Sequence, residues 1–210
     1  MNELATLFVT AFVTLFVIID PPGCAPIYAS LTRDVPAPQR RAMAVRSVMI
    51  AGCILVFFAL LGEDLLRVLG IGLPAFRIAG GIMLFLIALE MVFERRTARR
   101  ESRAQEVNAT PDIEDVSVFP MGIPMIAGPG SIASIMLLVG RSDGLHETLV
   151  VFAALAAVLL LTMLALLAAG PLMRLLGHRM EAMLTRLLGV ILAALAAQFV
   201  IDGINRAIDL

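Results

Sequence analysis

Lysine is absent from this chain: all 16 basic residues are arginine, and charged residues of both signs make up only 16% of 210. Soluble globular chains carry roughly 25% charge, so the shortfall argues against a domain surrounded by water. The net charge of −1 leaves no basic excess for nucleic acid. Cysteine is nearly absent too. Cys24 and Cys53 both lie in apolar surroundings and form neither a disulfide framework nor a metal-ligand spacing. His146 and His178 stand far apart, and no HExxH or GxSxG pattern occurs. Hydrolysis would need a nucleophile with a base in reach, or a metal set of His and acids, so neither enzymatic activity nor a cofactor is expected. The first ten residues hold no Lys or Arg. A cleaved signal peptide needs a positive start, so the first apolar segment is expected to be retained.

What fills the chain instead is apolar: 60% of the residues are hydrophobic. Leu4–Ile19, Ser47–Gly62, Val116–Gly140, Thr148–Met173 and Leu187–Ile201 carry no charge at all. A spanning helix takes about 20 mostly apolar residues. The pattern predicts an all-α membrane protein with six spans: Leu4–Ile19 (with the option of running on to Leu31), Met43–Leu61, Pro74–Phe93, Val116–Val139, Thr148–Ala169 and Met183–Ile204. Connections one, three and five hold twelve arginines against four on the opposite side. Positive charge is retained on the cytoplasmic face, which predicts both termini on the outer side of the cytoplasmic (inner) membrane.

Three parts follow. Residues 1–93 and 116–210 are read as three-span halves, joined by a cytoplasmic linker, 94–115, in which 11 of 22 residues are charged. The mixed signs of "ERRTARRESRAQE" suit a solvated tether better than a lipid-headgroup contact. Sliding the chain by 107 positions lays Pro22-Gly23 on Pro129-Gly130 and "LLRVLG" (Leu65 to Gly70) on "LMRLLG" (Leu172 to Gly177). Two positions further, Arg77 and Gly80 meet Arg186 and Gly189. Repeats call for attention before any other feature. With three spans per copy the second enters the membrane from the opposite side, an inverted architecture found in secondary transporters.

The punctuation marks a candidate site. Gly128-Pro129-Gly130 lies near the middle of a charge-free stretch. Proline removes a backbone donor and glycine permits non-helical backbone, so the fourth span should be discontinuous at mid-depth. By the repeat, Asp20-Pro21-Pro22-Gly23 should break the first. Unwound backbone within lipid is tolerated only where protein, water or ligand satisfies it. The half-helices starting at Gly23-Cys24 and Gly130-Ser131 would aim free N–H groups at one central region, each an anion site. Asp20 is either an ion or substrate group, as intramembrane carboxylates are by default, or simply the cap of its half-helix. It could accept an ammonium, bind Na⁺ or carry a proton. Ser131 and Ser134 either line the same pocket or serve helix packing. Glu90 and Gln198 are further intramembrane polar groups. Arg77 and Arg186 either snorkel or pair at interfaces, or act as gating ion pairs.

"IDPPGCAPIY", "FPMGIPMIAGPGSIAS" and "RLLGVILAALAAQFVIDGI" resemble the MarC family of integral membrane proteins, which includes the SnatA-type neutral amino acid transporters. The resemblance covers the whole chain. It implies a six-helix cytoplasmic-membrane protein and, for SnatA-like members, cation-coupled movement of glycine, alanine and similar solutes, with Asp20, Pro22, Gly23, Gly128, Pro129, Gly130 and Ser131 at the centre. The expected function is therefore an alternating-access transporter of small neutral amino acids, coupled to Na⁺ or H⁺ near Asp20. The alternatives are an exporter of another small solute and a non-transporting membrane protein.

Overall fold

The computed structural model describes residues 3–108 and 115–208, apart from the side chains of 97, 103, 106–108, 172–179 and 181. The "LMRLLG" landmark and His178 therefore lie outside the described side chains, and the end of the linker lies outside the described residues.

The described residues are helical, with no strand among them. In chain order they form α1 (Glu3–Ile19), α2 (Pro21–Leu31), α3 (Ala37–Val68), α4 (Leu73–Val92) and α5 (Arg95–Asn108). A π-helical segment (Ser117–Ile126) follows, then α6 (Pro129–Val139), α7 (Leu145–Leu167) and α8 (Ala169–Ile208). Five stretches are long and apolar enough to cross a membrane: Glu3–Leu31, Ala37–Val68, Leu73–Val92, Leu145–Leu167 and Ala182–Ile208. The π segment and α6 make a sixth if counted together, bent by 54°. The helices overrun the apolar windows at both ends, because Arg- and Glu-bearing turns continue the same hydrogen-bond ladder beyond the charge-free core.

Burial follows the solvent the helices face. Phe57, Leu60, Ile82, Leu86, Leu187 and Val190 are exposed, which in lipid is the favourable place for them. Inside, α4 packs along α8, α1 along α7, and α3 against the π segment, α6 and α7. One apolar cluster joins α1, α2, α3, α6 and α7 around Leu15, Tyr28, Leu55 and Ile135. A second joins α1, α4, α6 and α8 around Ile18, Leu84, Leu137 and Phe199. Tyr28, fully buried, donates its hydroxyl to the Arg40 carbonyl and so ties α2 to the start of α3.

The two Pro-Gly stretches are built differently. Between α1 and α2 one residue leaves the helix: Asp20, with φ 59° and ψ 64° in the left-handed region. The second is wider. Phe119 and Ile123, each before a proline, are extended (φ −128° for both), as steric pressure from the following ring requires. The Ala127 N–H reaches back five residues to the Gly122 carbonyl at 3.0 Å. Gly128 is then required. A Cβ there would stand 2.5 Å from the Pro124 carbonyl oxygen, which is backbone and cannot turn aside.

The linker is not a solvated tether along its described length. Glu94, again left-handed at φ 59°, turns the chain from α4 into α5, and α5 lies against α2 and α4 with Ala104 only 2% exposed.

Candidate functional site

Pro21 and Pro22 have no N–H, and that fact organises the first break. In a continuous helix the Ile18 carbonyl would accept from the amide four residues on, which is Pro22. It accepts instead from the Arg96 guanidinium of α5, at 2.6 Å. The Ile19 carbonyl takes the Cys24 thiol at 3.3 Å. The Gly23 N–H goes to the Asp20 carboxylate at 3.1 Å, and a Cβ on Gly23 would lie 2.2 Å from that carboxylate. The other Asp20 oxygen meets Arg100 of α5 at 3.2 Å, with side-chain exposures of 2% and 11%. Each exposed backbone group named here thus has a partner from the chain itself, as lipid-facing physics demands.

Asp20 thus caps the start of α2 at Gly23-Cys24 with one oxygen and pairs with Arg100 through the other. Pro22 shapes the break without facing the cavity described next.

The start of α6 is the open one. No side chain caps Gly128, and the first-turn amides of a helix have no acceptor within it. Gly128, Pro129, Gly130 and Ser131 line a cavity of about 160 Å³ together with Ile18, Glu90, Pro124 and the arginines Arg96, Arg99 and Arg100. Glu90 pairs with Arg99 at 2.6 Å across its rim. Burial pulls the Arg96 pKa down, with neighbouring Arg100 pulling the same way, to about 10. Arg96 therefore remains cationic at neutral pH. A helix N-terminus and three guanidinium groups face two carboxylates, Glu90 and Asp20, so the net field in the cavity favours an anion.

Gly130 sits level with Ile18, whose Cγ2 lies 3.4 Å from a Cβ placed there, so both breaks share one depth.

The remaining candidates separate. Ser134 is fully buried with an unpartnered hydroxyl and does not line the cavity. Gln198 is at the far end of the bundle, donating to Asp202 at 2.7 Å. Arg186 pairs with Glu94 at 2.6 Å, as an interface arginine should. Arg77 does neither of the things expected of it: it is 1% exposed, and none of its guanidinium nitrogens has a partner among the described residues. What sequence reasoning missed is Arg96 and Arg100. Their signal was present in the i, i+4 spacing of the linker arginines, which puts both on one helix face, and in the orphaned Ile18 carbonyl that needed a donor.

A family model described as "MarC family integral membrane protein" matches residues 5–208. A UPF0056 membrane protein of Methanocaldococcus jannaschii is 36% identical over 201 residues, covering 96% of this chain and 97% of its own. One from Aquifex aeolicus is 33% identical over 206 residues, covering 98% and 96%. The UPF0056 inner membrane protein YhgN of Escherichia coli K12 is 35% identical over 208 residues, covering 98% of each chain. No solved structure matches.

Proposed function

The chain belongs to the MarC family of integral membrane proteins, and from that premise we propose that it is a secondary transporter of small neutral amino acids such as glycine and alanine. It works by alternating access across the cytoplasmic membrane and is coupled to Na⁺ or H⁺. The observation that carries this reading is the uncapped start of α6 facing Arg96, Arg99 and Arg100 across one small cavity. A solute carboxylate meets the Gly130 and Ser131 amides, and its ammonium meets Glu90. At about 30 Å³ per water, the cavity holds about five waters, which suits a solute of a few heavy atoms and no bulky side chain.

The halves are read as inverted three-span repeats with discontinuous first spans. In support, each half runs in the order break, 11-residue half-helix, long helix, closing helix: α2, α3 and α4, then α6, α7 and α8. The arginine distribution supports a reading with both termini outside. Asp20, held between the α2 cap and Arg100, couples a cation by exchanging that pair for Na⁺ or a proton.

Uptake of labelled glycine and alanine into liposomes, with and without Na⁺ and pH gradients, tests the reading. Saturable uptake driven by one of the gradients is expected. Uptake no faster than in protein-free liposomes under every gradient removes it. The arginine excess in the cavity favours one second reading, an exporter of a small organic anion. In the same vesicles it would move propionate in preference to alanine.

A further inference from the structure

Arg77 stands one turn before Gly80, which packs on Ala133 and Leu137 of α6, and one residue before Ile78, which packs on Gly203 of α8. Its side chain is therefore enclosed between the far ends of α6 and α8, with only 1% of its surface exposed. Nε and both terminal nitrogens lack partners among the described residues. A guanidinium carries five N–H donors and does not lose its proton in proteins, so burial cannot be relieved by neutralisation.

Its charged neighbours among the described residues are Arg141, Arg206 and Asp202. Asp202 is not bonded to it. One Asp202 oxygen is bonded to Arg141 and the other accepts from Gln198 at 2.7 Å. Arg141 is held besides over the Phe199 ring at 4.6 Å. Among the described residues, three guanidinium groups thus share one carboxylate that already accepts from Arg141 and Gln198. Water would satisfy hydrogen bonds there but not the charge.

We propose that Arg77, with Arg141 and Arg206, forms a second anion site at the end of the bundle opposite α5, taking a small monovalent anion of the size of chloride or a carboxylate group. The inference is independent of the transport reading, since it rests on a different end of the molecule. The anion enters by displacing Asp202 from Arg141, whose side chains are 26% and 27% exposed. The burial of Arg77 favours a free anion over a lipid phosphate, though both share the chemistry.

Hydrogen exchange on the full-length protein in phosphatidylcholine nanodiscs tests this, comparing sodium chloride with sodium gluconate at equal concentration. Chloride should slow exchange in peptides covering residues 73–82 and 137–145. Arg77→Gln should abolish that protection and Arg77→Lys should retain part of it. Arg206→Gln, at an exposed position, should raise the half-saturating chloride several-fold, and serves if Arg77→Gln does not fold. Protection by phosphatidylglycerol nanodiscs without chloride, lost in Arg77→Gln, would keep the site and assign it to a headgroup. Absence of anion-dependent protection in these peptides, or equal protection in Arg77→Gln, overturns the proposal.

Discussion

Asp20 is the last residue of one helix, the cap of the next and the partner of Arg100, and its substitution separates these duties. Asparagine retains an oxygen for the Gly23 N–H but cannot answer the Arg100 charge. Removing one partner of a buried ion pair costs about 3–5 kcal/mol. Asp20→Asn and Arg100→Gln should each lower thermal stability in detergent by an amount in that range, and the double variant should lose clearly less than the sum. Strict additivity would mean that the pair at 3.2 Å is not energetically coupled. At Gly128 the constraint is steric. Gly128→Ala places a methyl 2.5 Å from the Pro124 oxygen and should destabilise by about 1–3 kcal/mol, the usual cost of overpacking. Gly170→Ala, where nothing lies within 4 Å, should be neutral or gain up to about 1 kcal/mol through helix propensity. Thermal melts of the two side by side decide it.

At the scale of elements, what was readable depended on whether the cause was local. The departure from regular helix before Gly128-Pro129-Gly130 was legible because proline and glycine act on their own backbone, and the π segment and α6 meet at a 54° bend. The capping of α2 by Asp20 was legible as an alternative for the same reason. The docking of α5 was not, because Arg96 and the Ile18 carbonyl are separated by 78 positions and a run of mixed charges looks alike on a tether and on a docked helix. The docked helix makes its own prediction. Arg96→Gln leaves the Ile18 carbonyl without its guanidinium donor, so amide exchange in residues 95–105 should rise at least tenfold while that in α7 does not change. Equal protection in both proteins would mean that the Arg100–Asp20 pair and the apolar contacts hold α5 without Arg96.

For the whole molecule, the family and the multi-span helical build rest on a match to residues 5–208 and on five to six membrane-length helical stretches. The orientation rests on arginine counting, and single cysteines in a Cys24→Ser, Cys53→Ser background report it. A cysteine at Arg99 should react with a membrane-impermeant maleimide only after cells are opened, and one at Arg206 before. The reverse order would invert the topology. The central claim is that the uncapped α6 terminus with its arginines receives a carboxylate. Competition for labelled alanine uptake in proteoliposomes addresses that atom group directly, by comparing unlabelled alanine with alaninamide, which keeps the ammonium and the methyl but has no carboxylate. The account predicts full competition by alanine and none by alaninamide at tenfold excess; equal competition by the two would contradict it.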